Sequence, residues 1–252
     1  MKAADKMVLE EALTELKLPV MRKEYEHCAR QADEAGDDYG RYLLCLAERE
    51  RESRRARQQV RRIKEAHFPQ MKTLEKTDLS KWPGFKARDV QTYASGDYIT
   101  EKQNIILVGK HGTGKSHAAM MLGIEACRQG HRVRFTTAAE LVNELLEAHD
   151  QARVLRILKR LKSYPLLIID ELGYLPFSRK GAQLLFQVIS DRYEQCATII
   201  TTNLGFADWT QVFGDANLTA ALLDRLTHHC HIHQFDWESI RFTESLKSRK
   251  AS

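Results

Sequence analysis

The chain has 252 residues, 43% of them hydrophobic, and its 39 Lys and Arg outnumber its 34 Asp and Glu to give a formal net charge of +5. This length fits one large domain or one domain with a small appendage, and no stretch approaches the roughly 20 apolar residues that a membrane helix needs. A charged N-terminal segment and five cysteines without paired spacing indicate a cytoplasmic protein with free thiols rather than a secreted one.

Three helices are predicted over the first 67 residues. Apolar side chains recur at helical spacing over residues 8–16, and a second helix is expected from Pro19 to about residue 35. A turn follows, with Asp38 as the expected N-cap of the third helix. We therefore predict a small all-helical N-terminal domain at residues 1–67.

The third predicted helix is strongly basic. Between Arg41 and His67 there are nine Lys and Arg against four Glu, so this segment alone carries the whole net excess of the chain. Such a concentration favours an anionic partner, most commonly nucleic acid, although a solvated helix face with internal Glu–Arg pairs would look the same. The candidate DNA-binding residues are Arg54, Arg55, Arg57, Arg61, Arg62 and Lys64.

A connector is predicted at residues 68–101, where proline and glycine interrupt the pattern. Aromatic residues are spread along it. They either pack against the domain that follows or wrap the base of a ligand bound there. These residues are Phe68, Trp82, Phe85, Tyr93 and Tyr98.

The rest of the chain alternates apolar strands with helices. This alternation predicts a three-layer α/β domain at residues 68–252, including the connector, in which a parallel sheet is covered on both faces. Ligands then bind beyond the carboxyl ends of the strands. The predicted strands are residues 104–108, 132–136, 166–170, 198–202 and 231–235, with helices near 114–129, 138–149, 151–162, 179–195 and 218–229.

The first predicted strand runs into a glycine-rich loop with the sequence GKHGTGKS at residues 109–116. A strand, this loop and a helix in that order predict a site for a nucleoside triphosphate with Mg²⁺. Lys115 would reach the β- and γ-phosphates, and the Ser116 hydroxyl would ligate Mg²⁺. The predicted phosphate-binding residues are Gly109, Lys110, His111, Gly112, Thr113, Gly114, Lys115, Ser116 and His117.

Two later strands end in polar residues. Asp170 and Glu171 follow a run of four apolar residues, which predicts that Asp170 holds Mg²⁺ through its water shell and that Glu171 is the general base. Asn203 follows the next strand and could orient the attacking water or contact the γ-phosphate, or could simply cap a turn.

Two arginines are further candidates. Arg225, late on a predicted helix, could be an arginine finger that acts on the nucleotide of a neighbouring subunit. Arg241, after the last strand, could contact the γ-phosphate of its own subunit. An ordinary salt bridge or a surface position would also explain either residue.

Alternate histidines on the last predicted strand invite comparison with a zinc site. His229, His231 and His233 would share one face of that strand. Because no second ligand pair at metal spacing occurs elsewhere, the residues favour an ordinary strand surface.

Taken together, these motifs resemble the AAA+ ATPase superfamily, and more narrowly the IstB-like transposition helper ATPases, with the DnaC-type helicase loaders as relatives. The resemblance covers residues 74–241. It rests on the glycine loop through His117, on VRFTTAAEL at 133–141, on LIIDELGYLP at 167–176, on TTNL at 201–204 and on LDRL at 223–226.

The resemblance implies an ATPase that assembles on double-stranded DNA as a homo-oligomer, works with an IstA-type transposase and lies in the bacterial nucleoid when bound to DNA. It also implies the roles given above for Lys115, Ser116, Asp170, Glu171 and Asn203. The same holds for Arg225 and Arg241. The sequence departs from the family in two ways: about 17 residues follow the last strand, so that the usual helical lid is reduced or absent, and Trp237 and Ile240 replace a family Gly and Tyr.

Two other functions fit the same core. A helicase loader would use the N-terminal helices to grip a replicative helicase, whereas a small-molecule kinase would need a lid arginine cluster and an acceptor pocket. The arginine density of the third helix favours DNA over a protein groove.

Overall fold

The computed structural model describes residues 2–240, and the chain separates into two compact units that divide between Arg61 and Arg62. The first unit is helical, as predicted. Its elements are α1 (Ala3–Glu15), α2 (Pro19–Ala35) and α3 (Tyr39–Glu65), the last of which continues across the division. The domain boundary at residue 67 remains a prediction.

Local signals account for the helix limits in the first unit. Proline occupies the first position of α2, where its missing N–H costs nothing. The helix ends at Gly36, whose φ of 71° is left-handed. The Asp38 carboxylate accepts a hydrogen bond from the Arg41 amide at 2.7 Å, which caps the start of α3 as predicted.

A buried carboxylate joins α3 to the N-terminus of α2. Glu50 is 3% exposed, and its Oε2 accepts hydrogen bonds from the amides of Val20 (2.8 Å) and Met21 (3.2 Å). Its Oε1 lies 3.0 Å from Arg54 Nε and 3.6 Å from Arg57 Nη2. The negative charge therefore lies where the dipole of α2 favours it.

Glu50→Gln is expected to loosen the first unit by about 1–3 kcal/mol, because a carboxamide cannot accept the same set of charge-assisted hydrogen bonds. Burial raises the pKa of Glu50, but its hydrogen bonds to Arg54 and to the amides of Met21 and Val20 outweigh burial, so that the pKa is lowered. This stabilisation is present at neutral pH and is lost as the pH falls through the lowered pKa.

Hydrogen exchange of the α2 amides would measure this effect at pH 7 and pH 4. Glu48→Gln is the matched control, since Glu48 is exposed and its carboxylate lies at a long distance, 3.8 Å, from the exposed Arg51 guanidinium. Equal protection in the two variants would contradict the assigned role of Glu50.

The second unit is built on a five-stranded parallel sheet in the order β2-β3-β4-β1-β5. All five strands were predicted, within one residue at their starts and two at their ends. They are β1 (Asn104–Gly109), β2 (Val133–Thr137), β3 (Leu166–Leu172), β4 (Ala197–Thr202) and β5 (Cys230–Phe235).

Alternate strand residues bury two separate cores, so helices cover both faces of the sheet. Ile168 and Ile199 face a core shared with α4 (Ala87–Ala94) and α6 (Lys115–Arg128). The neighbouring residues Ile169 and Ile200 face the other core. Its helices are α7 (Ala138–Asp150), α8 (Val154–Lys162), α9 (Arg179–Arg192), α10 (Trp209–Phe213) and α11 (Ala216–Thr227).

The predicted connector contains more regular structure than expected. It includes α4 and the single turn α5 (Asp97–Thr100), besides two 3₁₀ turns at Leu74–Lys76 and Leu79–Lys81. The sequence did not reveal α4 because this helix buries only Val90 and Tyr93, too few for a visible apolar period.

Two helices are shorter than predicted. The helix predicted at 151–162 begins at Val154, after Ala152 takes a left-handed φ of 54°, and the helix predicted at 179–195 ends at Arg192.

Between residues 2 and 240, no helix combines the length and apolar character needed to cross a membrane. The expected loss of the lid concerns residues 236–252, of which the structure describes only 236–240.

Candidate functional site

The glycine-rich loop joins the carboxyl end of β1 to the N-terminus of α6, in the predicted order. Three of its glycines are required by the fold. At Gly109, with φ of 152°, a Cβ would overlap the backbone of Phe235. At Gly112 and Gly114, with φ of 77° and 104°, a Cβ would overlap the Ser239 hydroxyl and the Trp82 indole nitrogen. With these glycines, the loop can curl tightly around the start of α6, where backbone N–H groups and the helix dipole favour an anion.

The Lys115 ammonium lies inside the loop. Lys115 is 8% exposed, and its Nζ donates to the carbonyl oxygens of Gly109 and Lys110, both at 2.7 Å. The Thr113 hydroxyl donates to the same Lys110 carbonyl at 2.8 Å. The loop carbonyls thus hold a positive charge at the centre of the cradle, ahead of the partly exposed Ser116.

The segment after β5 supports the loop from behind. The Trp237 indole N–H donates to the Thr113 carbonyl at 3.0 Å, and the Ile240 amide donates to the Gly112 carbonyl at 3.0 Å. These are the two positions at which the sequence departs from the family pattern, and both contact the loop. The predicted sensing residue, Arg241, lies just outside the described residues.

The acidic edge of the sheet is formed by β3 and β4. Asp170 is 6% exposed, whereas Glu171 is exposed and has a left-handed φ of 58°. The hydroxyl of Thr201 on β4 donates to Asp170 Oδ1 at 2.5 Å and accepts from the Glu171 amide at 2.9 Å. Two acids that are adjacent in the chain therefore have different surroundings, one buried and one open to solvent.

A cavity of about 700 Å³ lies between the loop and this edge, large enough for a nucleotide. It brings together most of the residues predicted for the nucleotide site. The loop and α6 contribute His111, Gly112, Gly114, Lys115, Ser116 and His117, and the acidic edge contributes Glu171 and Asn203. Asp170 lies buried behind Glu171, beside Thr201.

The connector closes one side of the cavity. Trp82 lines it, together with three lysines that were not predicted from the sequence: Lys72, Lys76 and Lys81. Of the five aromatic residues considered, Trp82 reaches the cavity, whereas the others pack in the core beneath it. The occurrence of three lysines within ten residues is the sequence feature that could have indicated this side of the site. These lysines increase the positive charge around an anion bound in the cavity.

His117 links the connector to the loop. Its Nε2 lies 2.9 Å from the Thr77 hydroxyl, and its ring meets Trp82 edge-on at 5.2 Å. Burial, and secondarily the Lys72 ammonium, lowers the pKa of His117. The imidazole is therefore neutral at physiological pH and positions the connector instead of adding charge.

Arg225 lies outside the cavity of its own chain. On α11, its Nη1 donates to the Ala221 carbonyl at 2.7 Å, and its guanidinium lies 5.1 Å from the centre of the Phe186 ring. Phe186 therefore supports a partly exposed arginine on a helix surface.

The six candidate DNA-binding residues differ in their surroundings. Arg54 and Arg57 pair with the buried Glu50, so both help to hold the first unit together. Arg55, Arg61 and Lys64 are exposed, and Arg62 is half-buried.

The histidines of β5 have ordinary partners. His231 Nε2 lies 2.7 Å from Gln103 Oε1, and His233 Nε2 lies 2.7 Å from the Tyr93 hydroxyl. Within the described residues, a different trio of exposed side chains brings its ligand atoms within 4.8 Å: Glu194, His228 and His229.

The donor set fits a nucleoside triphosphate with a divalent cation. The cradle presents an ammonium and a helix N-terminus to the phosphates. The Ser116 hydroxyl and the Asp170 carboxylate are the hard oxygen ligands that Mg²⁺ prefers.

Comparison with known proteins agrees with this chemistry. The family model described as IstB-like ATP binding protein matches residues 11–248. The chain is 37% identical over 240 residues to a protein named as an ATP-binding protein of insertion sequence IS21 from Pseudomonas aeruginosa, covering 95% of this chain and 91% of that one. It is 36% identical to the corresponding IS5376 protein of Geobacillus stearothermophilus, covering 91% of both.

Solved structures show the same fold at low sequence identity. A DnaA replication initiator bound to AMPPCP and single-stranded DNA superposes with a TM-score of 0.56 at 22% identity, covering 70% of this chain and 55% of that one. The DnaC helicase loader gives 0.50 at 23% identity, covering 57% and 85%. The predicted AAA+ fold is confirmed, and the chain belongs to the family of IstB-like ATP binding proteins.

Proposed function

We propose that the protein is a Mg²⁺-dependent ATPase that assembles on duplex DNA and assists an IstA-type transposase. The observation that supports this most directly is the single cavity that brings together Lys115, Ser116, Glu171 and Asn203. The insertion-sequence names of the relatives support the link to transposition.

In the proposed reaction, Lys115 and the loop amides bind the β- and γ-phosphates. Ser116 and Asp170 would hold Mg²⁺, which would supply positive charge against the phosphate oxygens. Glu171 accepts a proton from a water molecule that Asn203 orients, as the water oxygen bonds to the γ-phosphorus. The bond from that phosphorus to the β–γ bridging oxygen breaks, and ADP and phosphate leave.

Two basic surfaces support DNA binding. One is the exposed part of α3 that includes Arg55. The other, which was not predicted from the sequence, is formed by the polar face of α8 and the residues beside it: residues 151–163 contain five basic residues and no acid. One of the five, Arg160, pairs with Glu144. The remaining four are Arg153, Arg156, Lys159 and Lys162.

Arg225 supports coupling between subunits. A partly exposed arginine that lies outside its own cavity is available to a neighbouring copy, where it would stabilise charge on the transferring phosphate. ATP would then favour assembly, and assembly would multiply weak DNA contacts into tight binding.

The test is duplex DNA binding, measured by fluorescence anisotropy with ATP or ADP over a salt series. We expect binding to be at least about tenfold tighter with ATP. About five net phosphate contacts per subunit predict a slope of about −4.5 for log K against log salt. Arg225→Ala should remove the advantage of ATP, whereas Arg88→Ala, a control on the exposed side of α4, should keep it.

DNA binding that depends on neither the nucleotide nor the salt concentration would contradict the proposal. Absence of DNA binding, with retained ATP hydrolysis, would instead favour a loader that grips a protein partner.

A further inference from the structure

Thr201 occupies an unusual place in the sheet. β3 and β4 are in register up to the pair Ile169–Ile200, and the next pair is Leu172–Thr202. Two residues of β3, Asp170 and Glu171, therefore lie opposite the single residue Thr201. This is the pattern of a β-bulge, which re-aims side chains and leaves ladder groups without their usual partners.

The Thr201 side chain takes over the missing contacts. Its hydroxyl donates to Asp170 Oδ1 at 2.5 Å and accepts from the Glu171 amide at 2.9 Å. Thr201 is 1% exposed, and its one hydroxyl oxygen thus contacts both the Asp170 carboxylate and the Glu171 backbone amide. A buried hydroxyl that both donates and accepts a hydrogen bond cannot be replaced by an apolar group of the same shape without leaving polar groups unpaired.

Glu171 has a backbone that needs such support. Its φ of 58° lies in the left-handed region, which is strained for a residue with a β-carbon. The hydrogen bond to the Thr201 hydroxyl fixes the amide in that conformation. The same conformation leaves the Glu171 side chain exposed at the cavity while Asp170 stays buried.

We propose that Thr201 is a positioning residue for ATP hydrolysis: its hydroxyl sets the geometry of the metal-holding acid and of the general base together. The inference rests on the proposed ATPase function. The residue after it has another task, because the Thr202 hydroxyl accepts from the Leu204 amide at 3.1 Å and shapes the turn that contains Asn203.

The test compares Thr201→Val, which keeps the side-chain shape, with Thr201→Ser, which keeps the hydroxyl. For Thr201→Val we expect kcat to fall about 10- to 100-fold, the KM for ATP to change less than about threefold, and the Mg²⁺ concentration for half-maximal rate to rise. Thr201→Ser should stay within about threefold of the parent. Thr136→Val is the control, since Thr136 is a buried strand threonine that does not line the cavity.

The outcomes distinguish a failure of the proposed ATPase function from a failure of the role of Thr201. A parent protein that does not hydrolyse ATP would overturn the proposed function itself. A parent that does, together with an unimpaired Thr201→Val or an equally impaired Thr201→Ser, would overturn only the role of the hydroxyl. Binding of a fluorescent ATP analogue checks folding, and Thr201→Ala replaces Thr201→Val if the valine variant does not fold.

Discussion

Replacing Glu171 with glutamine should stop ATP turnover while leaving ATP binding nearly unchanged. Glutamine has the same shape but cannot accept the proton of the attacking water, and loss of a general base typically costs 10²- to 10⁴-fold in rate. Because Glu171 is exposed at the cavity and its amide, not its carboxylate, is bound by Thr201, the substitution should not disturb the fold. Phosphate release and binding of a fluorescent ATP analogue would measure the two effects separately.

Lys115→Ala provides the contrasting result. In the parent protein the Lys115 ammonium lies in the loop, held by the carbonyls of Gly109 and Lys110. Loss of this ammonium should weaken ATP binding about tenfold or more, in addition to abolishing turnover. Glu147→Gln, on the exposed side of α7, should behave as the parent. If Glu171→Gln hydrolyses ATP at the parent rate, the general base lies elsewhere; if Lys115→Ala binds ATP normally, the loop is not the phosphate site.

The parts of the fold that the sequence predicted well are set by neighbouring residues. Pro19 and Gly36 delimit α2 because proline fits the first turn and glycine takes the left-handed ending. The apolar run before Gly109 and the glycine loop after it likewise identified β1, the loop and α6 from local pattern alone.

What the sequence could not predict depends on contacts between distant segments. Thr201 contacts both acids only because β4 lies beside β3 and a bulge shifts their register. Lys72 and Lys76 reach the cavity because the connector folds back to the loop, where Thr77 meets His117. The burial of Glu50 depends in the same way on the N-terminus of α2.

Substitution of Arg192 should strongly destabilise the second unit. The residue is 2% exposed, and its guanidinium donates to the carbonyls of Leu161 (2.7 Å), Tyr164 (2.9 Å) and Ala197 (2.6 Å), and to the Thr198 hydroxyl (3.3 Å). Burial lowers its pKa to about 10. One side chain at the end of α9 thus binds the end of α8 to the start of β4, with carbonyl dipoles as its partners.

Arg192→Met should therefore cost about 3–5 kcal/mol, because two buried carbonyls and one partly buried carbonyl lose their hydrogen bonds to Arg192 at once, and a thioether replaces none of these bonds. Arg192→Lys should recover part of this, since an ammonium keeps the charge and up to three donors but not the planar fork. The three tryptophans of the chain, Trp82, Trp209 and Trp237, all lie in the second unit. Their fluorescence in a urea titration therefore reports the unfolding of that unit.

Arg179→Met is the matched control, because Arg179 begins the same helix and is exposed; we expect a change within about 0.5 kcal/mol. A loss below about 1 kcal/mol for Arg192→Met would mean that water or rearranged side chains satisfy the three carbonyls. In that case the junction of α8, α9 and β4 would tolerate an apolar residue, as some buried ionic sites do, and the arginine would not be needed to hold β4 beside β3.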